Sequence, residues 1–195
     1  ADVKDYRVYF ENCFLEGTTD YICSSATAVM NNCTLNIGSA KPMSGSGTDA
    51  ACITAAGHSS GKGYVFYNCE ITGTDWATPS EFGRPWNANA EVVYINTRIN
   101  KCTRSGYTDK YLISDNAWTD MGDNKATNAR FGEYGSVDAN TGKAISINSS
   151  LRKQFLLDEW TMLEYNPYNY LRGDDGWDPS NMEQYYSEFD RIANS

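Results

Sequence analysis

Short runs of alternating apolar and polar residues recur along the chain, and an asparagine interrupts each run. Alternation at period two predicts β-strands with one face in a core. Asparagine tolerates the left-handed backbone of a tight corner, so each run is interpreted as strand, corner, strand. Four segments follow this pattern: 10–17 (F-E-N-C-F-L-E-G), 30–37 (M-N-N-C-T-L-N-I), 66–73 (F-Y-N-C-E-I-T-G) and 94–101 (Y-I-N-T-R-I-N-K).

The spacing of these corners indicates a repeat protein. Asn12, Asn32, Asn68 and Asn96 are separated by 20, 36 and 28 residues. One unit repeated with loops of variable length is typical of a solenoid. Because no Asn-Gly or Asp-Gly hairpin signal separates the repeats, a β-sandwich is disfavoured. The sequence therefore predicts an all-β fold, a parallel β-helix whose coils stack about 4.8 Å apart.

A single domain is expected over 1–195, with solenoid coils in 1–150 and a tail with short helices in 151–195. Asp158 is expected to cap a helix over 159–165, and a capping box at 180–183 predicts an amphipathic helix through residue 192. These helices would cover apolar surface and close an open end. Polar loops are expected over 38–49, 56–63 and 72–89, the last containing Trp76, Phe82, Arg84, Pro85 and Trp86.

Composition narrows the range of partners. The chain has 16 Lys and Arg against 25 Asp and Glu, a net charge of −9, and no basic cluster. The excess of acidic residues disfavours binding of nucleic acid and would repel a fully ionised polyanion. We therefore expect any acidic polymer to bind in a form whose acidic groups are masked and uncharged. No apolar run approaches the length of a membrane-spanning helix, so no membrane partner is expected.

The six cysteines, at positions 13, 23, 33, 52, 69 and 102, do not have C-x-x-C spacing. His58 is the only histidine that could assist them as a metal ligand, so neither a metal site nor a cofactor is expected. Four of the cysteines fall late in a strand-like repeat. We therefore favour reduced, buried thiols over disulfides.

Candidate chemistry centres on Asp20. His58 lies outside any nucleophile-elbow sequence and is interpreted as a loop residue, which leaves no histidine-dependent triad. Asp20 begins an apolar strand, where it is either a buried structural acid or a functional residue. An ionised carboxylate there needs a cation, and Arg84 can hold it at two points. A carboxylate held in this way can act as a nucleophile.

The motifs G-T-T-D-Y-I (17–22), F-Y-N-C-E-I-T-G (66–73), F-G-R-P-W (82–86) and R-F-G-E-Y-G-S (130–136) together resemble pectin methylesterases, or pectinesterases. The 130–136 block and D-G-W-D-P (175–179) look most like bacterial members. The resemblance implies a right-handed parallel β-helix that hydrolyses methyl esters of polygalacturonate without cofactor or metal. It also implies a secreted or periplasmic location.

The same resemblance assigns roles to individual residues. Asp20 matches the nucleophile, which would release methanol and form an anhydride that water opens. Arg84 matches the arginine that keeps this aspartate ionised, and Trp86 matches the tryptophan that packs on a galacturonate ring. Trp76 and Met121 are also expected to contact substrate. Tyr21 would replace only in part an aromatic wall that the family has at the position of Cys23, because adjacent strand residues face opposite ways.

A second departure concerns the general acid, which the family carries about one coil upstream in a Gln-Asp pair. Only 19 residues precede Asp20, and they contain Asp2 and Asp5 but no glutamine. The chain is therefore interpreted as the C-terminal part of a longer esterase, whose N-terminal segment would complete the site. The alternative is a non-catalytic solenoid that binds pectin through Trp76 and Trp86. A lyase or glycosidase is disfavoured, because no acid cluster or second carboxylate accompanies Asp20.

Overall fold

The computed structural model describes residues 6–38, 51–58 and 60–181, and within them the chain forms stacked β-coils followed by short helices. The strands are β1 (Arg7–Glu11), β2 (Phe14–Gly17), β3 (Thr19–Ser24), β4 (Thr27–Asn31), β5 (Thr34–Ile37), β6 (Cys52–Ala56), β7 (Tyr64–Tyr67), β8 (Glu70–Gly73), β9 (Glu81–Pro85), β10 (Glu91–Ile95), β11 (Arg98–Ile99), β12 (Arg130–Tyr134) and β13 (Val137–Asp138). The helices are a 3₁₀ turn (Ala126–Asn128), α1 (Ser150–Lys153), α2 (Glu159–Leu163) and α3 (Pro167–Leu171).

The strands form three sheets; five coils contribute to the first two sheets, and the first three of these coils also contribute to the third. The first sheet has the order β1-β4-β7-β10-β12, the second β13-β11-β8-β5-β2 and the third β3-β6-β9. Every pairing between these strands is parallel, and the register is continuous from coil to coil except between β3 and β6. This arrangement confirms the predicted parallel β-helix. Strand–corner–strand units supply the first two sheets, and the third holds the candidate site.

The four asparagine corners are confirmed. Asn12, Asn32, Asn68 and Asn96 have φ values of 55°, 53°, 54° and 53°, in the left-handed region. Asn32 Nδ2 donates to Asn12 Oδ1 at 2.5 Å, and Asn96 Nδ2 donates to Asn68 Oδ1 at 3.2 Å. The corner residue therefore supplies both the backbone turn and a polar ladder along the outside of the stack.

Aromatic stacking fills the interior. Tyr94 stacks between Phe66 and Phe82, with ring centroids 4.3 and 4.1 Å away, and Trp118 stacks on Phe131 at 4.3 Å. All five rings belong to one buried cluster. Offset stacking adds to the burial of apolar area, so these rings help to fix the register of successive coils.

The cysteines follow the expectation only in part. All six are free thiols, and Cys33, Cys52, Cys69 and Cys102 are buried. The prediction of burial is wrong for Cys23, which is exposed, and Cys13 is only partly buried. Cys13 lies on the first described coil, where β1 and β2 are edge strands.

The C-terminal residues pack on the stack. Asp158 caps α2, as predicted, and its Oδ1 accepts from Thr161 N at 2.7 Å, although the helix ends at Leu163. Helix α3 covers the outer face of the first sheet, where Tyr170 and Leu171 join a second apolar cluster. The predicted helix through residue 192 and the predicted loop over 38–49 lie almost wholly outside the described residues.

A buried ion pair joins α1 to the solenoid. Arg152 Nε donates to Glu133 Oε2 at 2.8 Å, and its Nη2 donates to Glu133 Oε1 at 2.6 Å. Both residues are buried. Arg152 also donates to Ser114 O at 3.2 Å and lies over the Phe82 ring. Charge pairing with complete hydrogen bonding allows these groups to be buried.

Candidate active site

Asp20 lies at an irregularity in β3. The register with β6 shifts between Thr19 and Ile22, and Asp20 has a φ of 52°. Aspartate is among the few residues that adopt this left-handed conformation readily. Gly17 leaves room for the next part of the strand, because a Cβ there would approach Tyr21 Cβ to 2.2 Å. The glycine of the Gly-x-x-Asp motif is therefore required by the close approach of Tyr21, whatever the role of Asp20.

Arg84 holds the Asp20 carboxylate at two points. Arg84 Nε donates to Asp20 Oδ1 at 2.9 Å, and Nη2 donates to Oδ2 at 2.5 Å. The two side chains are 30% and 21% exposed, so the pair is accessible from solvent yet partly desolvated. The hydrogen bond to Asp20 raises the pKa of Arg84, which keeps the guanidinium charged.

The two residues lie on strands that do not touch, because β6 runs between β3 and β9. Arg84 is in register with Ala55, and Ala55 is in register with Cys23. Ala55 is fully buried and its side chain is a single methyl group. The intervening strand therefore carries a small side chain level with Arg84.

Strand β9 corrects one expectation, since 81–85 was assigned to a loop. Gly and Pro are loop signals, but this segment pairs with β6. A Cβ on Gly83 would come within 2.2 Å of Thr54 Oγ1, so only glycine permits this approach of the strands. Burial of Phe82 in the aromatic core fixes the strand in place.

The buried thiol of Cys52 lies beside the pair. Burial raises its pKa, and among its charged neighbours Asp20 and Glu81 raise it further while Arg84 lowers it. The thiol is therefore neutral. Glu81 is in register with Cys52 and accepts a hydrogen bond from Ser114 Oγ at 3.1 Å. Burial raises the pKa of Glu81. Sequence reasoning missed Cys52 and Glu81, because only strand register brings them to the site.

The predicted substrate-binding residues Trp86, Met121 and Trp76 lie near the two ends of β9. Trp86 is 53% exposed and directly follows β9. Asn124 Nδ2 donates to Trp86 O at 2.6 Å and its backbone pairs with Met121, which brings Met121 to the same side. Trp76 is 65% exposed but precedes β9, where Arg104 Nη1 donates to its carbonyl at 3.4 Å. The two tryptophans therefore flank β9 at opposite ends.

Tyr21 faces the interior, which corrects its assignment to the substrate-binding surface. Its ring packs against the core cluster, and its hydroxyl is buried. Burial raises its pKa well above the ordinary tyrosine value. The alternation of strand side chains turns Tyr21 away from the face that carries Asp20.

His58, interpreted as a loop residue, follows β6 and is buried. Its ring meets Tyr64 edge to face, with centroids 5.5 Å apart. In the described part of the chain, no cluster of three or more potential metal ligands occurs. Nor is any described helix both long and apolar enough to span a membrane.

The stacked parallel sheets and the accessible Asp20–Arg84 pair define a parallel β-helix protein with a polar site on its third sheet. The chain belongs to the pectinesterase family, whose profile matches residues 2–173. Putative pectinesterase 11 of Arabidopsis thaliana is 33% identical over 127 residues, which are 65% of this chain and 31% of that protein. Membership among the bacterial type stays a prediction.

Solved structures agree with the fold. Pectin methylesterase from carrot superposes with a TM-score of 0.68 at 23% identity, over 89% of this chain and 52% of that structure. A pectin methylesterase in complex with a hexasaccharide gives a TM-score of 0.64 at 23% identity, over the same shares of the two chains. The chain thus spans about a third of the Arabidopsis relative and about half of each of these structures.

Proposed function

We propose that this chain contributes the nucleophile to an enzyme that hydrolyses the methyl esters of pectin. The observation that carries the proposal is the two-point contact of Arg84 with Asp20 on an accessible sheet face. The arginine orients the carboxylate and places a fixed positive charge beside it. Each oxygen accepts one bond from Arg84 and keeps a lone pair for attack.

The reaction follows from this geometry in two stages. An Asp20 oxygen attacks the ester carbonyl carbon, and the resulting tetrahedral intermediate expels methoxide, which takes up a proton to become methanol. The product of this stage is an anhydride between Asp20 and the galacturonate. Water then attacks the anhydride, releases the galacturonate acid and restores the Asp20 carboxylate.

Departure of methanol requires a proton donor. Across the described ranges, no second carboxyl is hydrogen-bonded to Asp20, whose partner is Arg84. We assign the donor and an oxyanion-stabilising amide to a Gln-Asp pair elsewhere in the same enzyme. General acid catalysis of this kind contributes roughly 10²–10⁴-fold to the rate. Without those groups, the chain is expected to bind substrate but to turn over slowly.

Substrate recognition is assigned to the aromatic residues around β9. Trp86 and Met121 lie on one side of the strand, and Trp76 lies at its other end. Exposed tryptophan faces suit stacking on sugar rings. The net charge of −9 favours the methylated, uncharged form of the polymer. A cell-wall polymer as substrate implies a secreted or periplasmic enzyme.

The second candidate is a non-catalytic pectin-binding solenoid. The observation that favours it is the exposure of Trp76 and Trp86, at 65% and 53%. Binding by these residues needs no nucleophile. On this hypothesis Asp20 and Arg84 form a structural ion pair that stabilises the third sheet.

Methanol release from highly methylated pectin separates the two functions. The full-length protein is expected to release methanol, and Asp20→Asn is expected to abolish release while pectin binding remains. Asparagine is nearly isosteric and tolerates the left-handed backbone at this position, so the variant should fold. Binding of pectin by the full-length protein without any methanol release would establish the non-catalytic function instead.

A further inference from the structure

Glu81 lies on the same outward face of β9 as Arg84. Between them, Phe82 is buried in the core, and a Cβ on Gly83 would lie 2.2 Å from Thr54 Oγ1 and 3.3 Å from the Trp118 ring, both of which belong to buried residues. Two successive inward positions interrupt the usual alternation of strand side chains. As a result, Glu81 and Arg84, three residues apart, share the outer surface.

Strand register places Glu81 beside the reacting groups. Glu81 is in register with Cys52, which is in register with Thr19, the neighbour of Asp20. The Cys52 thiol interacts electrostatically with Asp20, Arg84 and Glu81. The third sheet thus has two carboxylates on its outer face, and only Asp20 is paired with the arginine.

We propose that Glu81 is a specificity-determining residue, which disfavours substrate whose galacturonate unit beside the reacting ester carries a free carboxylate. The inference rests on the proposed function and identifies the form of pectin that the site accepts. Because the substrate is a polymer, units next to the reacting one extend over the sheet beyond the Asp20–Arg84 pair. A methylated unit is neutral there, whereas a de-esterified unit places a second negative charge near Glu81.

Like charges brought together at a partly desolvated surface discriminate strongly between partners. Glu81 is only partly exposed, so its charge is screened less than the charge of a residue in open solvent. A discrimination on the order of tenfold in kcat/KM is expected for such a contact. It should weaken as ionic strength rises, since salt screens the repulsion.

A purely structural role for Glu81 is the competing explanation, because its carboxylate accepts a hydrogen bond from Ser114 Oγ. Glu81→Gln separates the two roles. The glutamine keeps an oxygen acceptor for Ser114 and removes the charge. Glu81→Asp keeps the charge. Glu159→Gln is the matched control, since Glu159 is an exposed acid at the start of α2.

The experiment compares kcat/KM of the full-length protein on two oligogalacturonides of equal length, one fully methyl-esterified and one partly and randomly de-esterified. At about pH 8, where carboxyls are ionised, Glu81→Gln should reduce the preference for the esterified oligomer on the order of tenfold, mainly through KM. Glu81→Asp and Glu159→Gln should keep the preference. High salt should reduce it in the wild-type protein.

An unchanged preference in Glu81→Gln, or a wild-type preference insensitive to salt, overturns the inference. If Glu81→Gln does not fold, Glu81→Ser replaces it in the same comparison, because the net charge of −9 makes the wild-type preference depend on salt even without Glu81. If no variant releases methanol, the proposed function fails separately. Binding of the two oligomers to Asp20→Asn and to the double variant Asp20→Asn, Glu81→Gln, measured by calorimetry, then tests the Glu81 repulsion without turnover.

Discussion

Arg84 reaches Asp20 across an intervening strand and holds both oxygens of its carboxylate. On the intervening strand β6, the small buried residue Ala55 is in register with Arg84. Neither member of the pair is close to the other in sequence. The site therefore exists only as a property of three stacked coils.

Arg84→Lys should impair activity more than folding. Lysine keeps one positive charge but loses the two-point geometry, so Asp20, the proposed nucleophile, is less well oriented. We expect kcat/KM for methanol release to fall roughly 10- to 100-fold. The free energy of unfolding should change by less than about 1 kcal/mol, since the pair is partly exposed. Urea unfolding of the same samples provides the comparison, and a loss of several kcal/mol would make Arg84 a structural residue.

His58 should make stability depend on pH. Burial lowers its pKa from the ordinary value of 6.5, and the nearby charges of Glu91 and Arg130 act in opposite directions. As pH falls below 6.5, His58 takes up a proton in the unfolded chain, whereas in the folded chain it stays neutral to a lower pH. Stability contributed by the neutral ring is complete above that pH and declines below it.

The measurement is the melting temperature between pH 7.5 and 5 for the wild-type protein and for His58→Gln. Subtracting one profile from the other removes the contribution of the carboxylates that both proteins share. The wild-type profile should fall more steeply toward low pH. Parallel profiles would show that His58 accepts a proton equally well in the folded and unfolded states.

Asn32 should be replaceable by glycine but not by alanine. Its φ of 53° is strained for alanine, whereas glycine adopts it without penalty. Both substitutions lose the side-chain hydrogen bond to Asn12. We expect Asn32→Ala to cost about 1–3 kcal/mol of unfolding free energy beyond Asn32→Gly. Equal losses in guanidinium unfolding would locate the stabilisation in the ladder rather than in the corner.

Arg152→Met should be strongly destabilising, because it leaves the carboxylate of Glu133 buried without a partner. Removing one member of such a pair costs about 3–5 kcal/mol. The double variant Arg152→Met, Glu133→Gln should recover part of that loss. Chemical unfolding of both proteins checks the prediction. A double variant no more stable than the single one would mean that Arg152 acts mainly through Ser114 O and the Phe82 ring.

The first two sheets were predictable because their signal is local. Each corner asparagine and the apolar residues after it identify the turn and the inward positions within eight residues. The pairing of Asp20 with Arg84 was also accessible, since an acid at the start of an apolar strand requires a cation. The roles of these two residues stay proposals.

The third sheet was predictable only at β3. Strand β9 contains Gly83 and Pro85, which indicate a loop when the sequence is read alone. Its pairing depends on Thr54, a residue distant in sequence, whose side chain leaves space only for glycine. Glu81 and Cys52 escaped notice for the same reason, because no local pattern shows that two residues share one face.

The separation of 64 residues between Asp20 and Arg84 has a kinetic consequence. Closing so long a loop is slow, and here two whole coils must form first. During refolding, the Asp20–Arg84 pair should therefore form after the asparagine turns, which need only neighbouring residues. Recovery of the proposed esterase activity would report the last stage of assembly, and a chain arrested earlier would be partly ordered but inactive.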